Sequence, residues 1–415
     1  MFPSEIHTPV PLIERYLNEH FVFIRSSVLR TSYFIEPRRL NQSSAHFTSY
    51  TLNRIDNKLS LPPHPPFILS YELFIHIHLH SQRTAHPIIF ILSLKLIIMK
   101  GKRIVVTGGG GFIGSNIVKS LMHDNEVIVV DDFSTGRREN LAGIEDQISL
   151  MEGSITDLDF LMSAFRDVDY VLHQAALPSV PRSVDDPITS NFVNVNGTMN
   201  VLVAARDSNV EKVVFAASSS AYGDTPTLPK VETMPTNPLS PYAVTKVTGE
   251  QYMKVFNDVY GLRTTALRYF NVFGPGQDPT SQYSAVIPKF VKWTINNESP
   301  SIYGDGEQSR DFTFVKDTIQ ANIKAAESKG VDGEVVNIAK GDRTTVNDLA
   351  RMILEDFGKA DVLKPHYIPP LPGDVKHSLA DISKARELMN FEPLYTLEDG
   401  LKETLQYFRA YYGVE

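Results

Sequence analysis

Residues 102–114 read KRIVVTGGGGFIG, and this stretch decides the fold class. The β-branched run that ends at Thr107 is typical of a buried parallel strand. The glycines satisfy the G-x-G-x-x-G pattern at positions 109, 111 and 114, and residues 115–124 have helical spacing. Strand, glycine turn and helix in this order predict a site where the backbone approaches a pyrophosphate at a helix N-terminus.

A second strand, EVIVVDD at 126–132, supports the same interpretation. Asp131 comes 23 residues after Gly108, close to the separation at which an acidic residue accepts hydrogen bonds from the adenosine ribose. Its carboxylate would also repel a 2′-phosphate. The sequence therefore predicts NAD, rather than NADP, as the cofactor.

The β and α patterns continue to alternate after this strand. They predict strands near 148–151, 170–173 and 212–217, and helices near 158–166 and 189–208. Such alternation is typical of an α/β fold, here a Rossmann-type, doubly wound parallel sheet with helices on both faces. Because ligands of these sheets bind beyond the carboxyl ends of the strands, we expect the loops there to converge on one site.

Two later segments carry candidate catalytic groups. Residues 218–223 (SSSAYG) follow a strand, and residues 240–246 (SPYAVTK) begin with a serine and a proline that suit a helix start. Tyr242 and Lys246 then share one helix face, and a neighbouring cation favours phenolate over phenol. The pair predicts removal of a proton from an alcohol while hydride leaves the same carbon. Alone, this spacing is common on ordinary helices; the glycine turn and the serine loop give it weight.

Residues 1–98 differ in composition from the rest of the chain, since they contain none of the 24 glycines that turns and helix ends need. Their apolar stretch Pro87–Met99 is shorter than the roughly 20 residues of a membrane span. Three interpretations stay open: translated sequence upstream of a start at Met99, a disordered extension, or a membrane-surface anchor. We favour the first. We expect residues 99–267 to form the cofactor domain with its Tyr and Lys, and 268–415 mainly to bind substrate.

Composition also limits the partners. The formal net charge of −8 and the lack of a basic run argue against a nucleic-acid partner. The chain has no cysteine, which excludes disulfides and thiolate metal sites and agrees with a reducing cytosol. The histidines after residue 98 are scattered, so no metal site is predicted. We expect a cytoplasmic protein without a membrane partner.

Several motifs make residues 102–415 resemble the extended short-chain dehydrogenase/reductase family that acts on nucleotide sugars. They are TGGGGFIG (107–114), DDFSTG (131–136), HQAA (173–176), SSSAYG (218–223), SPYAVTK (240–246) and LRYFNVFGP (267–275). Within that family the chain is most similar to UDP-N-acetylglucosamine 4-epimerases and UDP-glucose 4-epimerases. The resemblance implies a smaller C-terminal α/β lobe for a UDP-sugar, and a homodimer.

The resemblance also implies a mechanism in which NAD stays bound throughout. Tyr242 would act as the base, and Lys246 would hold the nicotinamide ribose and lower the pKa of the tyrosine. Ser218 or Ser219 would hydrogen-bond the 4-hydroxyl. Hydride would pass from C4 to the nicotinamide, and the transient 4-keto sugar would rotate and take it back on its other face. The implied cofactor-binding positions are Gly108, Gly111, Phe112, Ile113, Gly114, Asp131, Asp132, Ser134, Gly136, Ile155, Gln174, Ala175, Asn194, Tyr242, Lys246 and Tyr269.

Substrate-binding positions follow from the same resemblance. They are Ser218, Ser219, Asn271, Ala285, Val286, Tyr303, Arg310 and Ser378. Asn271 and Arg310 match contacts to the diphosphate, and Tyr303 and the segment 285–288 match contacts to the uridine. Ser378 stands where glucose-restricted epimerases carry a bulky tyrosine, which implies room for an N-acetyl group at C2. UDP-N-acetylglucosamine and UDP-N-acetylgalactosamine are therefore the expected substrates, and UDP-glucose and UDP-galactose stay open.

Two positions depart from the family pattern. The stretch 371–374 (LPGD) lacks an arginine that would be a second phosphate ligand, and Arg343 or Lys376 are candidates to replace it. Ser154 stands in place of an aspartate that contacts adenine, although Ile155 is retained.

Three rival functions stay open. A UDP-glucuronate epimerase or decarboxylase would need extra cations for the substrate carboxylate. A 4,6-dehydratase would need an Asp-Glu pair where this chain has Ser219 and Ser220. A catalytically inactive dinucleotide sensor would have little need for Tyr242 and Lys246.

Overall fold

The computed structural model describes residues 99–279, 285–370 and 376–414, together with the backbone of five earlier strands. Contacts divide the chain into two compact units, Met1–Ile98 and Met99–Glu415. In the first unit the five strands pair antiparallel in the order β3-β2-β1-β4-β5. These strands are Val22–Ser26 (β1), Ser32–Pro37 (β2), Tyr50–Ile55 (β3), Leu73–Leu79 (β4) and Ile88–Leu94 (β5). The origin of residues 1–98 stays a prediction.

The second unit alternates strands and helices along the chain. Its strands are Arg103–Thr107 (β6), Glu126–Asp131 (β7), Ser149–Glu152 (β8), Tyr170–His173 (β9), Lys212–Ser218 (β10), Arg263–Tyr269 (β11), Val272–Phe273 (β12), Ser301–Tyr303 (β13), Ser309–Arg310 (β14), Thr313–Phe314 (β15), Glu334–Ile338 (β16), Thr344–Thr345 (β17) and His366–Ile368 (β18). Its α-helices are Phe112–Leu121 (α1), Leu158–Ala164 (α2), Val180–Asp185 (α3), Pro187–Asn191 (α4), Gly197–Asp207 (α5), Pro241–Tyr260 (α6), Val286–Ile295 (α7), Val315–Glu327 (α8), Val346–Asp356 (α9), Ser383–Met389 (α10) and Leu397–Tyr412 (α11).

Seven parallel strands form the main sheet in the order β16-β11-β10-β9-β6-β7-β8. The chain builds outward from β6 in both directions, first through β7 and β8 and then through β9, β10 and β11. This is the predicted doubly wound sheet. The loops after β6 and β9 leave the sheet on opposite sides, which opens a crevice at the carboxyl ends of the strands.

Alternating side chains of the strands cover both faces of the sheet. In β6, Ile104 and Val106 enter one buried cluster and Val105 enters the other. β7 alternates in the same way, with Val129 on the first face and Ile128 on the second. A central strand that is apolar on both faces must be covered by helices on both sides, and this explains the three layers.

The observed elements differ from the predicted ones in two places. The helix predicted at 189–208 is interrupted by a π-helical turn at Phe192–Asn196, between α4 and α5. The seventh strand, β16, lies beyond residue 267 and nevertheless pairs with β11 in the main sheet. Sequence periodicity indicates that a strand forms, but it does not tell which sheet receives it.

Residues after 267 also build a separate aromatic cluster. Its largest buried members are Phe273, Phe290, Phe312, Phe314 and Phe408. This cluster packs α7, α9 and α11 around the short strands β12, β13 and β15. Within the described part of the chain, no helix is both long enough and apolar enough to cross a bilayer.

Candidate active site

A cavity of about 270 Å³ opens at the carboxyl ends of the central strands. The turn after β6, the end of β7, the loop after β9 and the start of α6 all line it. Every predicted cofactor-binding residue borders this cavity except Asn194. Sequence reasoning missed Ala216 and Ala217, which also line it. The sequence could have indicated them, because they end the predicted strand just before Ser218, where a ligand is expected.

The glycine turn is packed so closely that it leaves no room for side chains at Gly108 and Gly114. A Cβ on Gly114 would lie 2.0 Å from the carbonyl oxygen of Gly108. A Cβ on Gly108, whose φ is +69°, would lie 2.7 Å from the backbone nitrogen of Ala175. Only glycine permits this close approach of the turn, the helix and the neighbouring loop. The turn leads into α1, whose N-terminal amides would face an anion bound at the turn.

Asp131 anchors the glycine turn as well as bordering the cavity. Its carboxylate accepts 2.8 Å hydrogen bonds from the backbone N–H groups of Gly110 and Phe133. Burial raises the pKa of Asp131, and these two bonds act against that shift. The carboxylate therefore ties the end of β7 to the turn. The prediction that it also accepts from a ribose stays a prediction.

Asn194 lies behind the cavity wall and not on it. Its amide accepts from the Leu177 N–H at 2.7 Å and donates to the Leu177 carbonyl at 3.2 Å. It also donates to the Thr245 hydroxyl at 3.1 Å. The predicted direct role in cofactor binding is not supported by this geometry, because these partners engage the amide. Asn194 instead fixes the loop that lines the cavity to helix α6.

Helix α6 begins as the sequence predicts. Ser240 caps it by accepting a hydrogen bond from the Ala243 N–H at 3.2 Å, and Pro241 occupies its first position. The Tyr242 N–H donates to the buried hydroxyl of Ser183 at 3.0 Å. These contacts fix the helix start, so the Tyr242 side chain faces the cavity from a rigid support.

The Tyr242 phenol meets the serine loop at the end of β10. Ser218 shares a hydrogen bond with it, which lowers the pKa of Tyr242, while burial raises that pKa by more. The Ser218 hydroxyl also accepts from the Ser220 N–H at 3.2 Å and from the Ser220 hydroxyl at 2.8 Å. Ser219 begins a short 3₁₀ turn, Ser219–Tyr222. Of the two predicted serines, Ser218 is therefore the one placed against the phenol.

Lys246 is buried, with 4% of its surface exposed. Its ammonium donates to the Ala216 carbonyl at 2.7 Å and lies 5.8 Å from the centroid of the Tyr242 ring. Burial lowers the pKa of Lys246 to about 8, and Glu250 acts in the opposite direction. Burial is the larger effect on the Tyr242 pKa, and the predicted lowering of that pKa by Lys246 stays a prediction.

A second cavity, of about 310 Å³, lies among the elements after residue 267. The predicted substrate residues Asn271, Ala285, Val286, Tyr303 and Arg310 all border it. Sequence reasoning missed other residues that border it, among them Lys289, Trp293 and Gln308. Lys289 and Trp293 lie four residues apart on α7 and so share one helix face, a spacing from which the sequence could have predicted that they border the same site.

Several segments hold the polar side of this second cavity. Asn271 has a φ of +33° and donates to the Asp311 carbonyl at 3.1 Å. Arg310 donates to the carbonyls of Ser309 and Lys376 at 3.0 and 3.2 Å. Ser378 borders neither cavity, although its N–H donates to the Ser309 carbonyl at 3.0 Å, beside Arg310. The departure at 371–374 lies outside the described residues.

His173 ends β9 behind the first cavity and is fully buried. Its ring nitrogens lie 2.7 Å from the Thr107 hydroxyl and 3.0 Å from the Thr198 hydroxyl. Burial lowers the pKa of His173 to about 3, so the ring is neutral. Both nitrogens are engaged by protein groups, which fits a structural role. The described residues contain no group of three or more side chains placed to hold a metal ion.

Comparison with known proteins places this arrangement in a family. The model of the NAD dependent epimerase/dehydratase family matches residues 104–339. The chain belongs to this family. A putative UDP-glucose 4-epimerase from Methanocaldococcus jannaschii is 39% identical over 310 residues, which cover 74% of this chain and 98% of the relative.

Solved structures of family members have the same fold. A UDP-N-acetylglucosamine 4-epimerase from Methanobrevibacter ruminantium, in complex with UDP-N-acetylmuramic acid, is 44% identical, with a TM-score of 0.72 over 75% of this chain and 100% of that one. A Thermus thermophilus UDP-glucose 4-epimerase in complex with NAD is 34% identical, with a TM-score of 0.68 over 74% of this chain and 99% of that one. This epimerase/dehydratase is therefore an NAD-dependent enzyme. The glycine turn fits that cofactor, because the absence of side chains at Gly108 and Gly114 lets a pyrophosphate approach the backbone.

Proposed function

We propose that this epimerase/dehydratase interconverts UDP-sugars that differ in configuration at C4. The observation that carries the proposal is the contact of Tyr242 with Ser218 at the first cavity, where Lys246 lies beneath the phenol. Tyr242 and Lys246 line this cavity, and Ser218 lies against the phenol from the end of β10. Residues 99–267 would mainly hold NAD, and residues 268–415 would mainly hold the UDP-sugar.

Tyr242 would take the proton of the 4-hydroxyl as the phenolate and later return it to the same oxygen. Bound NAD supplies the nicotinamide that accepts and returns a hydride. Because burial raises the pKa of Tyr242, the phenolate needs nearby positive charge to form at neutral pH. Lys246 supplies one such charge from its buried position. Ser218 orients the phenol and the sugar oxygen, since its hydroxyl already bonds the Tyr242 oxygen.

The second cavity would hold the nucleotide part of the substrate. Asn271 and Arg310 border it and offer N–H donors to a diphosphate, for which the planar guanidinium is well suited. Arg343, Lys376 and Arg310 lie close enough to His377 that all three cations lower its pKa, after the larger effect of burial. These cations would compensate for the phosphate ligand that the 371–374 stretch lacks.

Substrate size is the finer part of the proposal. Ser378 is small and sits beside the strand that carries Arg310. Because Ser378 borders neither cavity, the argument comes from the resemblance: a small residue at this position would leave room for a substituent at C2, so UDP-N-acetylglucosamine and UDP-N-acetylgalactosamine should be accepted. The resemblance supports this size argument.

The test is to purify the protein, measure its NAD content, and incubate it with each of the four UDP-hexoses without added cofactor. Interconversion within the N-acetylated pair supports the proposal. No turnover of any of the four sugars by NAD-loaded protein would refute it. The alternative is a UDP-glucuronate epimerase or decarboxylase, which the cations around His377 favour because they could bind the substrate carboxylate. Assaying UDP-glucuronic acid beside the four UDP-hexoses distinguishes the two functions.

We also propose that the enzyme is a homodimer. Helices α3, α4 and α6 leave apolar side chains exposed, among them Val184, Ile188, Val255 and Val259. Phe192 in the π-helical turn is exposed as well. Pairing of these surfaces across a two-fold axis would bury them. Solution mass measured by light scattering should equal two chains; a monomer at micromolar concentration would refute this.

A further inference from the structure

One buried ion pair lies next to the site and has no part in the mechanism above. Glu250 on α6 is 1% exposed and Arg268 on β11 is 3% exposed. The two side chains form a bidentate pair with N–O distances of 2.8 and 2.7 Å. The Arg268 guanidinium carbon lies 4.6 Å from the centroid of the Tyr222 ring. A buried pair of this kind is weak evidence for stability, because removing both charges from water is costly.

Glu250 lies on the same face of α6 as the catalytic candidates. Tyr242, Lys246 and Glu250 are spaced four residues apart, so their side chains follow each other along the helix. Both oxygens of Glu250 are engaged by Arg268, and the Lys246 ammonium is engaged by the Ala216 carbonyl. The carboxylate therefore acts on Lys246 through its charge and not through a direct bond.

The charges around Lys246 are few. On its own helix it meets the Tyr242 phenol and Glu250. On the sheet side it meets the Phe215 ring, with a distance of 4.8 Å to its centroid, and the neutral His173. Among the described residues, Glu250 is the one group that raises the pKa of Lys246 against the larger effect of burial.

We propose that Glu250 is a positioning residue that keeps Lys246 protonated in its buried site, and that Arg268 holds the Glu250 carboxylate in its orientation. Arg268 is suited to this because its fork fixes both carboxylate oxygens. The inference rests on the proposed function in that Lys246 belongs to the site. Its test measures the lysine itself, so the two can fail separately.

The experiment titrates the lysines of the full-length protein by NMR with ¹³Cε-labelled lysine. Lys246→Met and Lys212→Met variants assign the two resonances. The test variant is Glu250→Gln combined with Arg268→Met, which removes both charges together. The pKa of Lys246 should fall by about one pH unit, because the carboxylate that raises it is lost and Arg268 is not among the groups that shift it.

Lys212 is the internal control. It is also fully buried, and burial lowers its pKa to about 8, but its partner is Asp332 and not Glu250. Its titration should be unchanged in the test variant. Arg268→Lys, which leaves the Glu250 charge in place, should leave the Lys246 titration close to that of the parent.

A second readout uses the pH profile of kcat/KM. Because the protonated lysine is present below its pKa, a lower pKa should move the alkaline limb of the profile to lower pH by the same amount. An unchanged Lys246 titration in the folded variant would overturn the proposal. If the variant does not fold, Glu250→Met with Arg268→Met is measured instead; failure of both to fold would also overturn it, since the pair would then serve stability. If the parent protein turns over no UDP-sugar but the pKa of Lys246 falls in the variant, the proposed function is refuted and the role of Glu250 stands.

Discussion

Replacing Tyr242 with phenylalanine separates chemistry from folding in this enzyme. The phenol hydroxyl shares a hydrogen bond with Ser218. When it is removed, the Ser218 hydroxyl keeps its contacts with the Ser220 N–H and hydroxyl at 3.2 and 2.8 Å. No buried group is left without a partner on the serine side. The free energy of unfolding should therefore fall by only about 1 kcal/mol, the net value of one hydrogen bond.

The effect on turnover should be far larger. A positioned acid–base group contributes about 10²- to 10⁴-fold to rate, which is about 3 to 5 kcal/mol of transition-state stabilisation. The Tyr242→Phe ring still walls the first cavity, so NAD should remain bound. We thus expect kcat to fall at least a hundredfold while NAD content and melting temperature stay near those of the parent.

The assay follows conversion of UDP-N-acetylglucosamine to its C4 epimer by chromatography, with NAD measured in the denatured supernatant. Tyr252→Phe is the matched control, because Tyr252 lies on the same helix but packs against the hydrophobic core beside the sheet. It should retain parental kcat. Tyr242→Phe protein that holds NAD and turns over substrate as fast as the parent would show that this phenol is not the base.

Three further outcomes can be measured. Gly114→Ala should abolish NAD binding, because its Cβ would lie 2.0 Å from the Gly108 carbonyl oxygen. Gly358→Ala is the control: nothing lies within 4 Å of its added Cβ, so it should cost only about 1 kcal/mol of stability and leave NAD bound. Equal NAD titration curves for the two variants would contradict this prediction. Ser378→Tyr should reduce kcat/KM more for UDP-N-acetylhexoses than for the plain UDP-hexoses, because the tyrosine would occupy the space of the N-acetyl group. Equal reductions for the two classes would contradict the size argument. Because burial lowers the pKa of His173 to about 3, the unfolded chain binds a proton below pH 6.5 that the folded chain refuses, so stability should fall by roughly 2 kcal/mol between pH 6.5 and 5. His173→Gln should flatten this part of the denaturant-midpoint profile, and an unchanged slope would contradict the assignment.

Local patterns predicted much of the cofactor site. The glycine turn, Asp131 and the Tyr242–Lys246 spacing are readable because backbone geometry and helix periodicity are set by neighbours in the chain. The same holds for the start of α6, whose capping serine and first-turn proline are local features. These elements lie where the sequence predicts them.

Other features depend on residues far apart in the chain. Asn194 was expected at the cofactor, but Leu177 and Thr245 engage its amide. The choice of Ser218 over Ser219 depends on how β10 meets α6, which no local pattern encodes.

The sequence by itself determined the fold class, the cofactor and the helix face that carries the candidate base, because each follows from periodicity, from a turn that only glycine permits, or from the place of Asp131 at the end of a strand. Tertiary structure alone decided that β16 completes the main sheet and that Glu250 pairs with Arg268 beside Lys246. It also decided the pKa direction at Tyr242. The physical reason is that burial and charge pairing depend on which distant side chains share a volume from which water is excluded, and chain order does not record this.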